Sequence, residues 1–401
     1  MNEADTSQPS STAAPATPVE QVARGPVALV YSPHAGSVGR NQPQALLERA
    51  GTPVALAMPV SELDTSQPLG RQWREAGCVA AVAAGGDGTV GAVATHAASA
   101  GLPLGILPLG TANDVARALG IPLAPAAAAR VIAEGVLQRV DAGQAVPSQT
   151  SPRIAARQAP PSAAALNDAL TERPGPQEPT ADGAYFLHAL TLGLNVEFAR
   201  LATNVAQRRV WGRLTYAVAA IESLEHLKPI EVTLRFSGMP GAPEESIFVV
   251  RCKTAMLTAI NLPIFGGRLG LRVPGIRTDD RLLDFIIVES PEPGGARVAF
   301  EAALGALTGA AQALWGDRRA DATDAADARD AAETPAAAHP VQNPAGIALP
   351  GARWFRARAV EIETEQPVDL TLDGELRGRT PAVARVAPKA AHIIVPAARR
   401  A

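Results

Sequence analysis

Gly85-Gly86-Asp87-Gly88-Thr89 places three glycines around one carboxylate, after an apolar run and before a helical pattern that Val90 and Gly91 continue. Backbone without Cβ lets phosphate oxygens approach closely, and a helix N-terminus adds N–H donors and the positive end of its dipole. An ordinary strand-to-helix turn needs one glycine, so three point to a phosphate loop. The pattern G-x-x-x-x-G-K-[ST] is absent, because no lysine follows. Gly86, Gly88 and Gly91 match G-x-G-x-x-G in form. They follow the third candidate strand rather than the first, and no acidic residue ends the next strand to hold a ribose. Asp87 would turn a carboxylate toward the phosphates unless Mg²⁺ lay between them. Carboxylate, metal and phosphate together are the components of phosphoryl transfer.

A second polar loop, Pro108-Leu109-Gly110-Thr111-Ala112-Asn113-Asp114-Val115-Ala116-Arg117, also sits after a strand and opens a helix. Capping would use one of Thr111, Asn113 and Asp114. Two such loops at the ends of successive parallel strands define a nucleotide cleft.

The elements that must position these loops follow from the hydropathy pattern. Strands are expected at Val27 to Tyr31, Pro53 to Met58, Cys78 to Ala84 and Leu104 to Leu107. Helices are expected at Gln42 to Ala50, Ser61 to Ala76, Val90 to Ala100, Asn113 to Leu119 and Ala126 to Glu134. Apolar strands alternating with helices predict a parallel sheet covered on both faces. Later the pattern is mainly β: Tyr185 to Leu192, Ile230 to Phe236, Ile247 to Leu257, Leu282 to Val288, Ala359 to Thr364, Val368 to Leu372 and His392 to Val395. A helical stretch from Glu197 to His226 interrupts them. Residues 1–25 read as a disordered N-terminus, and the Pro-rich 145–182 and Ala/Asp-rich 316–350 as mobile inserts.

The 401 residues, 47% hydrophobic and 19% charged, suit two globular domains. A net charge of −3 offers no field for nucleic acid or for a bulk anionic membrane. Cys78 and Cys252 have no metal-ligand spacing and read as two buried thiols. The N-terminus lacks the apolar core of a signal peptide, and no run reaches the ~20 apolar residues of a membrane span. The expectation is a soluble, cytoplasmic protein.

The two loops together resemble the diacylglycerol kinase catalytic domain, a family that includes bacterial lipid kinases and the sphingosine and ceramide kinases. The first loop is shared with NAD kinases and phosphofructokinases; the second selects the lipid kinases. The resemblance implies an N-terminal parallel α/β nucleotide-binding domain (26–140, with 388–401 returning to it). It also implies a C-terminal antiparallel β-sandwich domain (141–387), with the cleft between them. ATP would be held by Gly85, Gly86, Asp87, Gly88, Thr89, Val90, Gly91, Thr111 and Asn113, with Mg²⁺ as the metal. The implied partner is a lipid at a membrane surface, contacted peripherally at the inner face, and a homodimer is left open.

Leu372-Asp373-Gly374-Glu375-Leu376 resembles the family's catalytic motif, which makes Glu375 the base for the lipid hydroxyl, beside Asp87. Read alone, Asp-Gly between two short strands is a hairpin turn. Arg277-Thr278-Asp279-Asp280-Arg281-Leu282-Leu283 resembles a segment holding a structural Mg²⁺. Asp280 would give a carboxylate there, and Arg277 and Leu282 carbonyls. The family usually has glycine where Arg281 stands; a β-turn with solvated acids is the other reading. The family's early nucleotide-contacting threonine has no counterpart near Pro59-Val60-Ser61. Gly193-Leu194-Asn195 would shape the acceptor side. Arg200, Arg208, Arg209, Arg213, Trp211 and Tyr216 read as a solvated helix or a headgroup contact. Phe300, Leu304, Leu307, Ala311 and Leu314 read as a core stripe. Two rivals to a lipid kinase remain: an NAD kinase-like enzyme, and a non-catalytic nucleotide- or lipid-binding module on the same fold.

Overall fold

The computed structural model describes residues 20–33, 42–63, 69–147, 183–193, 196, 229–265, 271–273, 275–289 and 352–397. The first part of the chain builds β1 (Glu20–Gln21), β2 (Val27–Tyr31), α1 (Pro43–Arg49), β3 (Val54–Pro59) and α2 (Leu69–Glu75). It continues with β4 (Ala80–Gly85), α3 (Asp87–Ala100), β5 (Leu104–Pro108), α4 (Asp114–Ala118) and α5 (Pro125–Glu134). Strands β3, β2, β4 and β5 lie side by side in that order, all parallel. Every residue of β4 is buried, which is why its sequence is an uninterrupted apolar run of small residues. Trp73, Leu29, Leu47, Ile106 and Leu107 anchor this core.

The second part is β6 (Val136–Pro147), β7 (Ala184–Phe186), β8 (Ala189–Gly193), β9 (Ile230–Ser237), β10 (Ile247–Ile260), β11 (Ile264–Phe265) and β12 (Leu271–Arg272). It ends with β13 (Leu283–Glu289), β14 (Ala352–Ala357), β15 (Ala359–Thr364), β16 (Asp369–Leu372), β17 (Glu375–Arg379) and β18 (Ala382–Val395). These strands pair antiparallel, in the order β17-β16-β8-β10-β9-β15-β18, around a second core. Its aromatic centre has Phe236 stacked on Phe355 at 4.9 Å and edge-on to Phe285 at 5.2 Å. The fold is therefore a parallel α/β unit followed by an antiparallel β unit.

Two long strands join the cores. β18 pairs antiparallel with β6 along nearly its whole length, and Ile393 then lies parallel beside Leu104 of β5. The final strand thus closes the edge of the first sheet. Its β6 pairing slips between Ala387 and Ala391, where Lys389 has a φ of 54°. This bulge accommodates Pro388, which could not sit in a regular central strand.

The structure departs from the hydropathy pattern at several elements. The expected helix 61–76 is a 3₁₀ turn at Val60–Glu62 and, separately, α2. In the sequence Pro68 separates the two, and a proline inside a helix would delete a backbone hydrogen bond. β1, β6, β11, β12, β14 and β17 have no counterpart among the expected strands. β1 lies within the stretch 1–25 read as disordered, where Glu20 and Gln21 pair with Leu137 and Val136, and β6 runs to Pro147, three residues into the expected insert. β18 is much longer than His392 to Val395, because Pro388 masks its continuity.

Candidate functional site

The two polar loops form one body. Gly85 ends β4, Gly86 caps α3, and the Gly85 carbonyl accepts the N–H of Leu109 at 2.9 Å and of Gly110 at 3.1 Å. A Cβ on Gly110 would strike the Gly86 Cα, so the backbones can touch here because Gly110 has no side chain. Asn113, at a φ of 53°, braces the second loop: Oδ1 accepts the Gly110 N–H at 3.0 Å and Nδ2 donates to the Gly110 carbonyl at 2.9 Å. Asp87 crosses between the loops, its Oδ1 accepting the Val115 N–H at 2.9 Å in the first turn of α4. Of the residues assigned to nucleotide, Gly86, Asp87, Gly88 and Thr111 reach the surface. Gly85, Thr89, Val90, Gly91 and Asn113 are buried, with Thr89 packed against Gly85.

The Asp373-Gly374 turn, far downstream in the chain, lies directly against this body. Both turn residues have positive φ, 50° and 85°, as a two-residue mirror-image hairpin requires, and Leu372 pairs with Glu375 across it. The close approach explains the remaining glycines. A Cβ on Gly88 would lie 2.5 Å from Glu375 Oε1, and one on Gly91 would overlap the Asp373 carboxylate.

The two carboxylates face different surroundings. Asp373 is buried and accepts three backbone N–H bonds, from Leu187 at 2.9 Å, His188 at 2.8 Å and Ala189 at 3.0 Å. Burial pushes its pKa up to about 6, against the opposing pull of the His188 imidazole and these N–H groups. Glu375 is half-exposed: Oε2 accepts from Arg377 Nη2 at 2.7 Å, while Oε1 faces Gly88. Arg377 stands two residues on, on the same face of β17; that period-two spacing was the available sequence signal for it. The cradle at 187–189 had no such signal, since backbone N–H groups carry no side-chain pattern.

The 277–284 turn is arranged differently. Asp280 Oδ1 accepts the Leu282 N–H at 3.1 Å, and Oδ2 is paired with Arg356 Nη2. Arg281 has a φ of 62°, in the left-handed region that favours glycine. Asp141 is buried and accepts the Arg281 and Lys389 N–H groups, each at 2.7 Å. Burial raises its pKa, and these two N–H bonds oppose that. Asn261 Nδ2 donates at 2.8 Å both to the Asp141 carbonyl and to that of Leu187. Among the described residues no group of three His, Cys, Asp or Glu could hold a metal. With its carboxylate already taken by a guanidinium and an N–H, the set Arg277, Asp280 and Leu282 does not fit Mg²⁺.

Residues 26–145, which carry both polar loops, match the family model of the diacylglycerol kinase catalytic domain. The likeness to that family is thus carried by this part of the chain. A probable lipid kinase YegS-like protein of Xanthomonas euvesicatoria pv. vesicatoria is 54% identical over 66 residues, 15% of this chain and 21% of the relative. The diacylglycerol kinase of Bacillus subtilis is 28% identical over 172 residues, 42% of this chain and 45% of the relative. These matches thus span about a fifth and less than half of the relatives' lengths. A solved diacylglycerol kinase of Bacillus anthracis str. Sterne has the same fold over 96% of this chain and 99% of its own, at a TM-score of 0.51 and 16% identity. Leu194, Asn195, the helical stretch 197–226 with its arginines, and the apolar stripe 300–314 lie outside the described residues.

Proposed function

We propose that the chain transfers the γ-phosphate of ATP to the hydroxyl of a lipid, with a diacylglycerol-like molecule as the acceptor. The observation that carries this reading is the half-exposed Glu375 carboxylate set against Gly88 of the phosphate loop. The backbone of Gly86, Asp87 and Gly88 and the N-terminus of α3 would bind the phosphates, and Thr111 lies open beside them. Asp87 fits a metal-bound nucleotide, since the Val115 bond anchors the carboxylate through Oδ1 and does not use Oδ2. Mg²⁺ arriving with ATP would neutralise phosphate charge there.

Arg377 holds one oxygen of Glu375 and leaves Oε1 to accept the hydroxyl proton as the acceptor oxygen bonds to the γ-phosphorus. The bond from that phosphorus to the bridging oxygen breaks, and ADP departs. No helix among the described residues is long and apolar enough to cross a membrane. Incubating the protein with γ-labelled ATP, Mg²⁺, a panel of lipid hydroxyls in mixed micelles and NAD as a further acceptor tests the reading. Label in a diacylglycerol, phosphatidylglycerol or sphingoid base supports it; label in NAD and in no lipid contradicts it.

A further inference from the structure

We propose that the Arg356 guanidinium takes the place of a bound cation at the 277–284 turn, so that this junction is held without Mg²⁺. The arginine is built into the sheet: Arg356 of β14 is the cross-strand partner of Asp284 in β13. It pairs through Nη2 with Asp280 Oδ2, and its Nε lies 3.2 Å from Asp284 Oδ1. Asp284 is 1% exposed, and its Oδ1 also accepts the Trp354 Nε1 hydrogen at 2.8 Å. Arg356 and Asp280 are each 16% exposed at the side chain, so the pair is shielded enough for its charge to count.

A planar fork that reaches two carboxylates suits arginine, whereas Mg²⁺ demands an octahedral oxygen shell and retains its waters. The oxygens that such an ion would use on Asp280 are engaged by Arg356 and by the Leu282 N–H. Arg277 is paired with Asp279 at 3.3 Å on the exposed side of the turn, so those two charges answer each other.

What the guanidinium fixes extends beyond the turn. Arg281 and Thr278 bond Asp141 through its carboxylate and its N–H, and Asp141 lies on β6 opposite the β18 bulge. Asn261 links the Asp141 carbonyl to that of Leu187, and the Leu187 N–H bonds Asp373. A continuous set of bonds therefore runs from Arg356 to the hairpin that carries Glu375. This inference does not depend on which acceptor the chain phosphorylates.

Thermal unfolding of the full chain without nucleotide, in EDTA and in millimolar MgCl₂ at matched ionic strength, provides the test. The expected result is one melting temperature in both media for the wild type. Arg356→Met should melt several degrees lower, because two shielded carboxylates lose their cation. Arg356→Lys, which keeps the charge but not the fork, should fall between. A wild-type melting temperature that rises in Mg²⁺ through a gain abolished by Asp280→Asn would overturn the proposal. So would an Arg356→Met variant that melts with the wild type. Where Arg356→Met yields no folded protein, the lysine variant and the wild-type comparison decide the question in its place.

Discussion

Two acidic turns in this molecule look alike in sequence and differ in what answers their charge. At 373–375 the first carboxylate is buried on three N–H groups, and the second is left half-exposed against a glycine loop. At 280–284 both carboxylates converge on one guanidinium from β14. Each turn contains a non-glycine residue at positive φ, Asp373 and Arg281. Backbone geometry therefore does not separate the turn proposed to act from the one proposed to brace the fold. The separation comes from distant partners: Gly88 leaves room for Glu375, whereas Arg356 fills the space around Asp280.

The largest effect expected from breaking this contrast is at Asp373. Asp373→Ala strips the acceptor from three buried N–H groups and should cost about 3–5 kcal/mol, measured by urea unfolding. A loss below about 1 kcal/mol would mean that water replaces the carboxylate and that the hairpin is not clamped.

Acid dependence sharpens the same point. Because the folded pKa of Asp373 is raised from 3.8 to about 6, the folded chain binds a proton more readily than the unfolded one. Its contribution is therefore fully present below the unfolded value and is lost as pH rises through about 6. Comparing wild type with Asp373→Asn across this window should show a falling difference in stability; a rising one would contradict the burial argument.

The smallest stability effect belongs to Gly88→Ala. Alanine favours the first turn of α3 by up to about 1 kcal/mol, and what lies in its way is the Glu375 side chain from Cγ to Oε1, which can swing aside. The variant should fold at least as stably as the wild type, yet lose roughly tenfold in phosphoryl transfer as the carboxylate is displaced. Unchanged transfer would separate Glu375 from the chemistry at this loop.

Much of the arrangement was legible in the residues. β2 and β15 have the limits their apolar patterns predict, and both polar loops fall where strands meet helices. Asp-Gly announced the hairpin at 373–374. The roles of partners were harder to read. Asp87 carries a bond to Val115 that only the touching of two loops creates. Asn113 spends its amide on Gly110, and Thr89 faces inward, although their types suit nucleotide. Arg356 meets Asp284 through the register of β13 on β14, segments far apart in the chain, which no local pattern encodes. β18 was concealed by Pro388, tolerated only because the ladder bulges there.

The role of Glu375 is tested most directly by phosphoryl transfer in Glu375→Gln, with ATP affinity measured on the same protein. The amide preserves the size of the side chain and cannot take the hydroxyl proton. Loss of a general base costs about 10²–10⁴ in rate and leaves ground-state nucleotide binding unaltered. The predicted result is a folded variant with wild-type ATP affinity and transfer to lipid lowered by that factor. Transfer at the wild-type rate, on any lipid that the wild type phosphorylates, would show that the carboxylate against Gly88 is not the base.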